Sequence, residues 1–239
     1  MFISDFDDTV NNFIEKSKQY KSSEASWGHC YKAFKEIRLQ YPNVPFCQLN
    51  KQIKQFLCLH LGFYLASWGM YRGDTLIRQF DYTVHEEAIQ LLFKPEYNKL
   101  WNATIDNLDS DLIGQLCVEM GKVYEEEKKK RSRNNFKKPT TTLVTKILMG
   151  TMACTPAYDQ YFYEGIREYI KSNTVIFKIH NFDTNQINKQ KITNSILFLK
   201  DLWKNNIKTN INEYPEMKLI DMYFWEKGYN KDLVKKQKK

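Results

Sequence analysis

The chain has 239 residues, of which 42% are apolar and 15% are aromatic, and this is enough to build a folded protein with a sizeable core. Its net charge of +8 favours partners that carry phosphate, namely nucleic acid, nucleotides or an anionic membrane. The uncharged run at 55–71 is short for a bilayer crossing, and the five cysteines and four histidines lack zinc spacing, so a membrane-spanning protein and a zinc site are both excluded.

No secretory signal opens the chain, because Asp5, Asp7 and Asp8 follow the initial methionine closely. We therefore expect a cytoplasmic protein with reduced cysteines, and we expect no metal, no other cofactor and no membrane partner. The segment SDFDDTV at 4–10 matches the nucleophile motif of haloacid-dehalogenase phosphatases, but no strand precedes it and a helical pattern starts at once. It is interpreted as the capped start of a helix.

Helical periodicity continues along nearly the whole chain and predicts an all-α fold of roughly nine or ten helices in two lobes with a cleft between them. The run TVIFKI allows at most a minor strand near 174–179. The third helix is apolar on several sides and is therefore expected at the centre. The predicted helices begin near residues 4, 27, 49, 83, 96, 112, 141, 156, 187 and 216.

A charged stretch, EEEKKKRSRNNFKKP, occupies 125–139 and is strongly basic in its second half. It predicts a basic loop or hinge at 126–138, between an N-terminal helical lobe at 1–125 and a C-terminal helical lobe at 139–230. The last residues, 231–239, are predicted to form a basic tail. A single compact domain stays open as the alternative to two lobes.

The segment LASWGMYRGDTLIRQFDYTVH at 65–85 gathers aromatic and guanidinium groups at the end of the apolar third helix. Trp68, Tyr71 and Arg72 are the groups that a stacked base or a phosphate requires, although tight helix packing at the neighbouring glycines explains them equally well. Arg78 and His85 are spaced like the Arg…His pair of helical HEPN ribonucleases, which leaves RNA cleavage as an alternative function.

The segment FKKPTTTLVTKILMG at 136–150 joins a basic loop to the start of a helix. The unpaired amides of a first helical turn, next to lysines and threonine hydroxyls, form a natural phosphate site, whereas threonine caps without a ligand are also common. The predicted phosphate contacts are Lys137, Lys138, Thr140, Thr141, Thr142 and Lys146. Lys146 is alternatively a solvent-facing residue.

Asp159 follows the break at Thr155-Pro156 and stands among aromatic residues, including Tyr158. An aspartate in this position can cap the next helix, and a fixed carboxylate there can also stabilise a developing cation or orient a water molecule. Both roles remain open from the residues alone. We expect 65–72, 139–146 and Asp159 to converge on one positively lined groove with a lone carboxylate at its floor.

Over about 30 residues, these segments resemble the catalytic half of the helix-hairpin-helix DNA glycosylase superfamily. The resemblance implies that 139–142 grip a DNA phosphate and that Asp159 supports loss of a flipped base, inside a pocket formed by Trp68, Tyr71, Arg72 and Tyr158. It also implies double-stranded DNA as the partner and no cofactor. Threonines replace the glycine-rich hairpin, and Lys146 lies further along its helix than the lysine of lyase-type members, so no lyase activity is expected. A nucleic-acid-binding protein without catalysis and a protein-interaction module stay open.

Overall fold

A computed structural model describes residues 2–20, 23–72, 77–131, 138–173 and 177–237. Over these ranges the chain contains nine α-helices, four short 3-10 helices and no strand, which confirms the predicted all-α class. The α-helices are α1 (Phe6–Tyr20), α2 (Ser23–Gln40), α3 (Lys51–Ser67), α4 (Glu86–Leu92), α5 (Ser110–Arg131), α6 (Thr141–Thr151), α7 (Gln160–Ser172), α8 (Lys189–Asn206) and α9 (Glu216–Gln237). The 3-10 helices are Phe46–Gln48, Tyr82–His85, Pro95–Leu100 and Ile179–Phe182.

Polar caps fix where several of the helices begin. The side chains of Asn50, Thr140 and Asn188 each accept a hydrogen bond from a backbone N–H three residues further on, at 2.9, 3.2 and 2.9 Å. These residues have the extended backbone of an N-cap and satisfy amides that the helix leaves unpaired. The start of α6, which the sequence placed next to a candidate phosphate site, is therefore set by the Thr140 hydroxyl.

The structure corrects the predicted hinge in the charged stretch. The predicted hinge is helical at 126–131, because Glu127 is buried and pairs with Lys130 and Arg131 one turn ahead, which extends α5. Arg131 also donates to the Thr83 hydroxyl at 2.9 Å and holds the end of α5 against the 3-10 helix Tyr82–His85. Residues 132–137 lie outside the described ranges.

Two further predicted elements are corrected by the structure, and a third lies partly outside the described ranges. Residues 231–237 of the predicted tail continue α9, where Lys231 pairs with Glu168 and Lys236 pairs with Asp232. The helix predicted at 96–105 is a 3-10 helix that ends at Leu100. Of the strand suggested at 174–179, residues 174–176 lie outside the described ranges, and the remainder leads directly into the 3-10 helix Ile179–Phe182.

The buried core is continuous across the two predicted lobes. α1 packs against α9, and α2 and α3 both contact α6, so helices from either side of 126–138 share one set of buried side chains. α5 packs against α8 in the same manner. The division into two lobes, with a single compact domain as its alternative, stays a prediction. In the described part of the chain, no helix combines the length and apolar character that crossing a bilayer requires.

The most extensive contact between two described helices joins α7 and α9, and glycines make it close. A Cβ atom added at Gly165 on α7 would lie 1.9 Å from the backbone oxygen of Phe224 on α9. A Cβ atom added at Gly228 on α9 would lie 1.9 Å from the backbone oxygen of Tyr161 on α7. The absence of side chains at these two points lets the helix backbones touch, and this positions the start of α7 beside the middle of α9.

Candidate functional site

A cleft of about 910 Å³ opens between α1, the end of α3, the start of α7 and α9. Its volume lies in the upper part of the range that ligand-binding pockets occupy, roughly 300–1,000 Å³. Of the residues that the sequence singled out, the structure brings Trp68, Arg72, Thr142, Lys146 and Asp159 into the lining of this cleft. The end of α3 and Asp159, which lie far apart along the chain, therefore meet in one cleft.

Asp159 caps α7 and also forms an ion pair in the cleft. Its Oδ1 accepts hydrogen bonds from the backbone N–H groups of Tyr161 and Phe162, both at 3.1 Å. Its Oδ2 accepts from Lys146 Nζ, also at 3.1 Å. The two roles that the sequence left open are thus compatible, because capping uses one oxygen and leaves the other to face a cation. Three donors hold the carboxylate in a single orientation.

Lys146 is not solvent-facing, so that alternative is corrected, whereas its contact with a phosphate stays a prediction. Its side chain is 4% exposed, against 14% for the Asp159 side chain. The ammonium lies 4.9 Å from the centre of the Trp68 ring, so an aromatic face and a carboxylate share its charge. Lys146 therefore compensates the charge of Asp159 and connects it to the aromatic wall of the cleft.

A Schellman motif at the end of α3 places Trp68 and Arg72. Gly69 adopts a φ of +75°, its N–H donates to Ala66 O, and Met70 N–H donates to Leu65 O, both at 2.9 Å. The Arg72 guanidinium folds over Gly69 so closely that a Cβ there would lie 2.0 Å from Arg72 Nη2. Glycine is thus needed at position 69 because the backbone has a positive φ and because the Arg72 side chain occupies the space that a Cβ would fill.

Aromatic residues on α7 and α9 form a wall of the cleft that sequence reasoning missed. Trp225 stacks on Tyr229 at 5.0 Å, and Tyr161 meets Trp225 edge to face at 5.2 Å. Trp68 also meets Trp225 edge to face, with the ring centres 5.8 Å apart. The signal in the sequence was the run MYFWEKGY at 222–229, in which the tryptophan and the last tyrosine have helical spacing. The indole N–H groups of both tryptophans are buried and meet no acceptor among the described residues.

The cleft contains a second carboxylate, on Glu226 of α9, which sequence reasoning also missed. Its side chain is 3% exposed and pairs with Lys16 of α1, whose side chain is 54% exposed. Together with Arg72 and Lys146, the lining holds three cationic and two acidic side chains. The expected groove with a lone carboxylate is therefore corrected to a nearly balanced cleft in which each carboxylate has a lysine partner.

Two of the predicted substrate-binding residues lie elsewhere. Tyr158 is fully buried in the core, stacks on Phe162, and shares a hydrogen bond of 2.5 Å with the Ser195 hydroxyl, so its assignment to the base pocket is wrong. Tyr71 does not line the cleft, because its hydroxyl is hydrogen-bonded to His85 Nε2 at 2.7 Å. Burial raises the pKa of this tyrosine to about 12.

The start of α6 offers fewer free donors than predicted. The Thr142 N–H donates to Thr184 O at 3.1 Å, the Thr142 hydroxyl donates to Tyr158 O at 2.7 Å, and Thr141 is 1% exposed. The Thr141 hydroxyl has no partner among the described residues but is sealed from solvent, and the Thr142 hydroxyl is already donated, so the structure contradicts both predicted phosphate contacts. Thr140 is half-buried and Lys138 is exposed, so both stay predictions, while Lys137 lies outside the described ranges.

His85, proposed for the ribonuclease alternative, is fully buried between two tyrosines. Its Nε2 pairs with the Tyr71 hydroxyl and its Nδ1 with the Tyr124 hydroxyl, each at 2.7 Å. Burial, aided by the charge of Arg131, lowers the pKa of the imidazole from its ordinary 6.5 to about 3. With both ring nitrogens occupied and no exposed surface, His85 holds the core together in this structure, which counts against a role in cutting RNA.

This burial predicts a pH dependence of stability. The unfolded chain protonates His85 below pH 6.5 whereas the folded protein does not until about pH 3, so its contribution is complete above pH 6.5 and is lost as the pH falls toward 3. Between pH 7.5 and 5.5 we expect a loss of about 1.4 kcal/mol in the free energy of unfolding from this residue. Urea unfolding of the wild type and of His85→Gln at the two pH values measures it. Equal pH slopes in the two proteins would contradict the prediction.

Within the described ranges, histidine, cysteine and acidic side chains do not form a group of three or more that could hold a metal ion. The chemistry available in the cleft is therefore that of two carboxylates, their lysine partners, an arginine and a set of aromatic faces. Comparison of the chain with protein-family models, with curated proteins and with solved structures finds no match.

Proposed function

We propose that this protein is a monofunctional DNA glycosylase that holds a flipped nucleotide in the cleft and hydrolyses its glycosidic bond with the help of Asp159. The observation that carries the proposal is the position of this carboxylate, which is fixed by three donors in a cleft lined by Trp68, Tyr161 and Trp225. Aromatic faces stack on a base of any sequence, and a carboxylate stabilises the positive charge that develops on the sugar when a base departs.

Other residues supply the remaining functions that this reaction needs. Arg72 is exposed at the cleft and makes no ion pair with a carboxylate of the described residues, so it is available for a phosphate or for the edge of the base. Lys146 holds Asp159 in place rather than acting on the substrate. The net charge of +8 supports attraction to DNA at long range. The resemblance at 139–160 to helix-hairpin-helix glycosylases points to the same reaction.

The experiment is to compare wild type with Asp159→Asn on duplex oligonucleotides that each carry one damaged or modified base. Release of the base leaves an abasic site, which alkali converts to a strand break that a gel detects. Asparagine retains the helix cap but removes the charge, so we expect base release to fall by roughly 10²–10³-fold while DNA binding persists. Wild-type-like release by the variant, or no release by the wild type from any duplex, would overturn the proposal.

The chain provides a matched control for this variant. Lys218 and Asp221 on α9 form a second buried lysine–aspartate pair at 2.8 Å, and Asp221 Oδ1 also accepts from the Ala157 N–H at 2.9 Å. This pair has the same chemistry and a similar burial, but Asp221 does not line the cleft. Asp221→Asn should lower stability as much as Asp159→Asn does, yet retain base release. The comparison separates a loss of fold from a loss of chemistry.

A second candidate function is binding of nucleic acid without catalysis. One observation favours it, namely that both Asp159 oxygens already have partners inside the protein, which is sufficient for a purely structural role. In that case Asp159→Asn and wild type bind DNA or RNA alike, affinity falls steeply with salt, and no oligonucleotide yields a product. The gel assay described above distinguishes this function from glycosylase activity directly.

A further inference from the structure

Glu226 differs from Asp159 in how its oxygens are used. Its Oε1 accepts from Lys16 Nζ and from Asn230 Nδ2, the latter at 3.2 Å. Its Oε2 receives no hydrogen bond from a described residue, and it is not among the polar atoms that are sealed off from solvent. In the same cleft, Asp159 has a donor on each oxygen. Of the two carboxylates that line the cleft, Glu226 is therefore the one with an oxygen that accepts no hydrogen bond from a described residue.

A hydrolytic reaction needs this kind of group. The attacking water must lose a proton as it bonds to the sugar, and the base that accepts this proton must face the water within hydrogen-bonding distance. We propose that Glu226 is the general base of the cleft and that Asp159 stabilises the cationic sugar. The two carboxylates then have different roles in the same reaction. This inference rests on the proposed glycosylase function.

The step balances as a simple hydrolysis. Glu226 Oε2 takes one proton from water, and the oxygen of that water forms a bond to the anomeric carbon of the sugar. The bond from this carbon to the base nitrogen breaks, and its electron pair leaves with the base, which takes up a proton. Glu226 then returns its proton to solvent. The products are an abasic sugar and a free base, and no oxidant, metal or second substrate is consumed.

A structural role is the competing explanation, because the Lys16–Glu226 pair joins α1 to α9. Lys16 lines the cleft and neutralises Glu226, so removing it would change the base itself. A second tie between these elements, the pair of Lys227 on α9 with Asp5 just before α1, lies outside the cleft. Lys227→Ala is therefore the matched control, because it loosens the contact between α9 and the start of α1 and leaves Glu226 and its partners in place.

The test uses the full chain and whichever duplex the wild type processes, with three variants. Glu226→Gln can still accept from Lys16 but cannot take a proton, and we expect its single-turnover rate to fall by roughly 10²–10⁴-fold with an unchanged Kd for DNA. Lys227→Ala, which breaks an exposed ion pair outside the cleft, should stay within about threefold of wild type. Glu226→Ala leaves space for a small carboxylate, so added formate should restore part of its rate and should not accelerate Glu226→Gln.

The outcomes separate this inference from the proposed function. If wild type releases a base and Asp159→Asn does not, the function holds, and the Glu226 variants are then decisive. A wild-type rate in Glu226→Gln, or an equal loss in Lys227→Ala, overturns the role of Glu226 alone. Absence of formate rescue in a folded Glu226→Ala protein, checked by circular dichroism, also counts against proton transfer by this residue. Absence of base release by the wild type would overturn both proposals together.

Discussion

Gly228→Ala is expected to lower the free energy of unfolding by about 3 kcal/mol, at the upper end of the effects that overpacking produces. The new Cβ would lie 1.9 Å from the backbone oxygen of Tyr161, and a backbone atom cannot rotate away as a side chain can. α7 and α9 must therefore separate along their whole contact, which loosens many buried groups at once. Urea or thermal unfolding followed by circular dichroism measures the change.

Gly28→Ala is the control for this prediction. Gly28 lies inside α2, and a Cβ added there would meet no atom within 4 Å. The same chemical change should therefore stabilise the protein by about 0.5–1 kcal/mol, because alanine favours helix more than glycine does. A similar destabilisation at both positions would show that the close α7–α9 contact is not what limits substitution at Gly228.

The same contact has a consequence for the cleft. Tyr161 on α7 and Trp225 and Tyr229 on α9 form the aromatic wall, and Asp159 lies at the end of α7. Separation of the helices at Gly228 would shift this wall relative to the carboxylate. Under the proposed function, Gly228→Ala should thus reduce base release even at temperatures where the variant remains folded, since catalysis is sensitive to displacements of about 1 Å.

Sequence patterns were sufficient for the class of fold and for part of the site. Apolar residues at helical spacing predict α1, α2 and α8, because those helices bury one face each against the core. Asp159 was recognisable because a cap is a local property that depends on the residue and its immediate neighbours. Trp68 and Arg72 were recognisable because they cluster at the glycine that ends α3.

The errors came from contacts that a local pattern does not encode. The run EEEKKKR is typical of a loop by composition, yet Glu127 is buried and its ion pairs with Lys130 and Arg131 continue the helix. Tyr158 was assigned to the site because it is next to Asp159 in the sequence. Its side chain is instead buried in the core. Glu226 was missed because an acidic residue on an aromatic helix has no signature until α1 and α7 close around it.

The phosphate site at the start of α6 shows a further limit. Three consecutive threonines predicted free hydroxyls and amides, whereas Thr184, far along the chain, supplies the carbonyl that takes up the Thr142 N–H. Whether a helix terminus is free to bind an anion depends on what else packs against it, and that is a tertiary property. Under the proposed function, attraction to nucleic acid would therefore come from exposed groups such as Arg72 and Lys138.

Asp159→Asn is also expected to destabilise the protein, by about 3–5 kcal/mol, because it leaves the Lys146 ammonium buried without an anionic partner. Lys146→Met should cost less, about 1–3 kcal/mol, since Asp159 keeps two backbone donors and part of its contact with solvent. The double variant, Lys146→Met with Asp159→Asn, contains no buried charge at this point. It should recover most of the stability lost in Asp159→Asn, which chemical unfolding of all four proteins would show as a double-mutant cycle.

This cycle also distinguishes a catalytic role of the Lys146–Asp159 pair from a purely structural one. If the carboxylate acts in catalysis, the double variant regains stability but not base release, because the methionine removes the unpaired charge without replacing the anion that faces the sugar. If Asp159 serves only as a cap and an ion-pair partner, function returns together with stability. A coupling energy near zero would instead mean that Lys146 and Asp159 stabilise the fold independently, so that the 3.1 Å contact contributes little to the shape of the cleft.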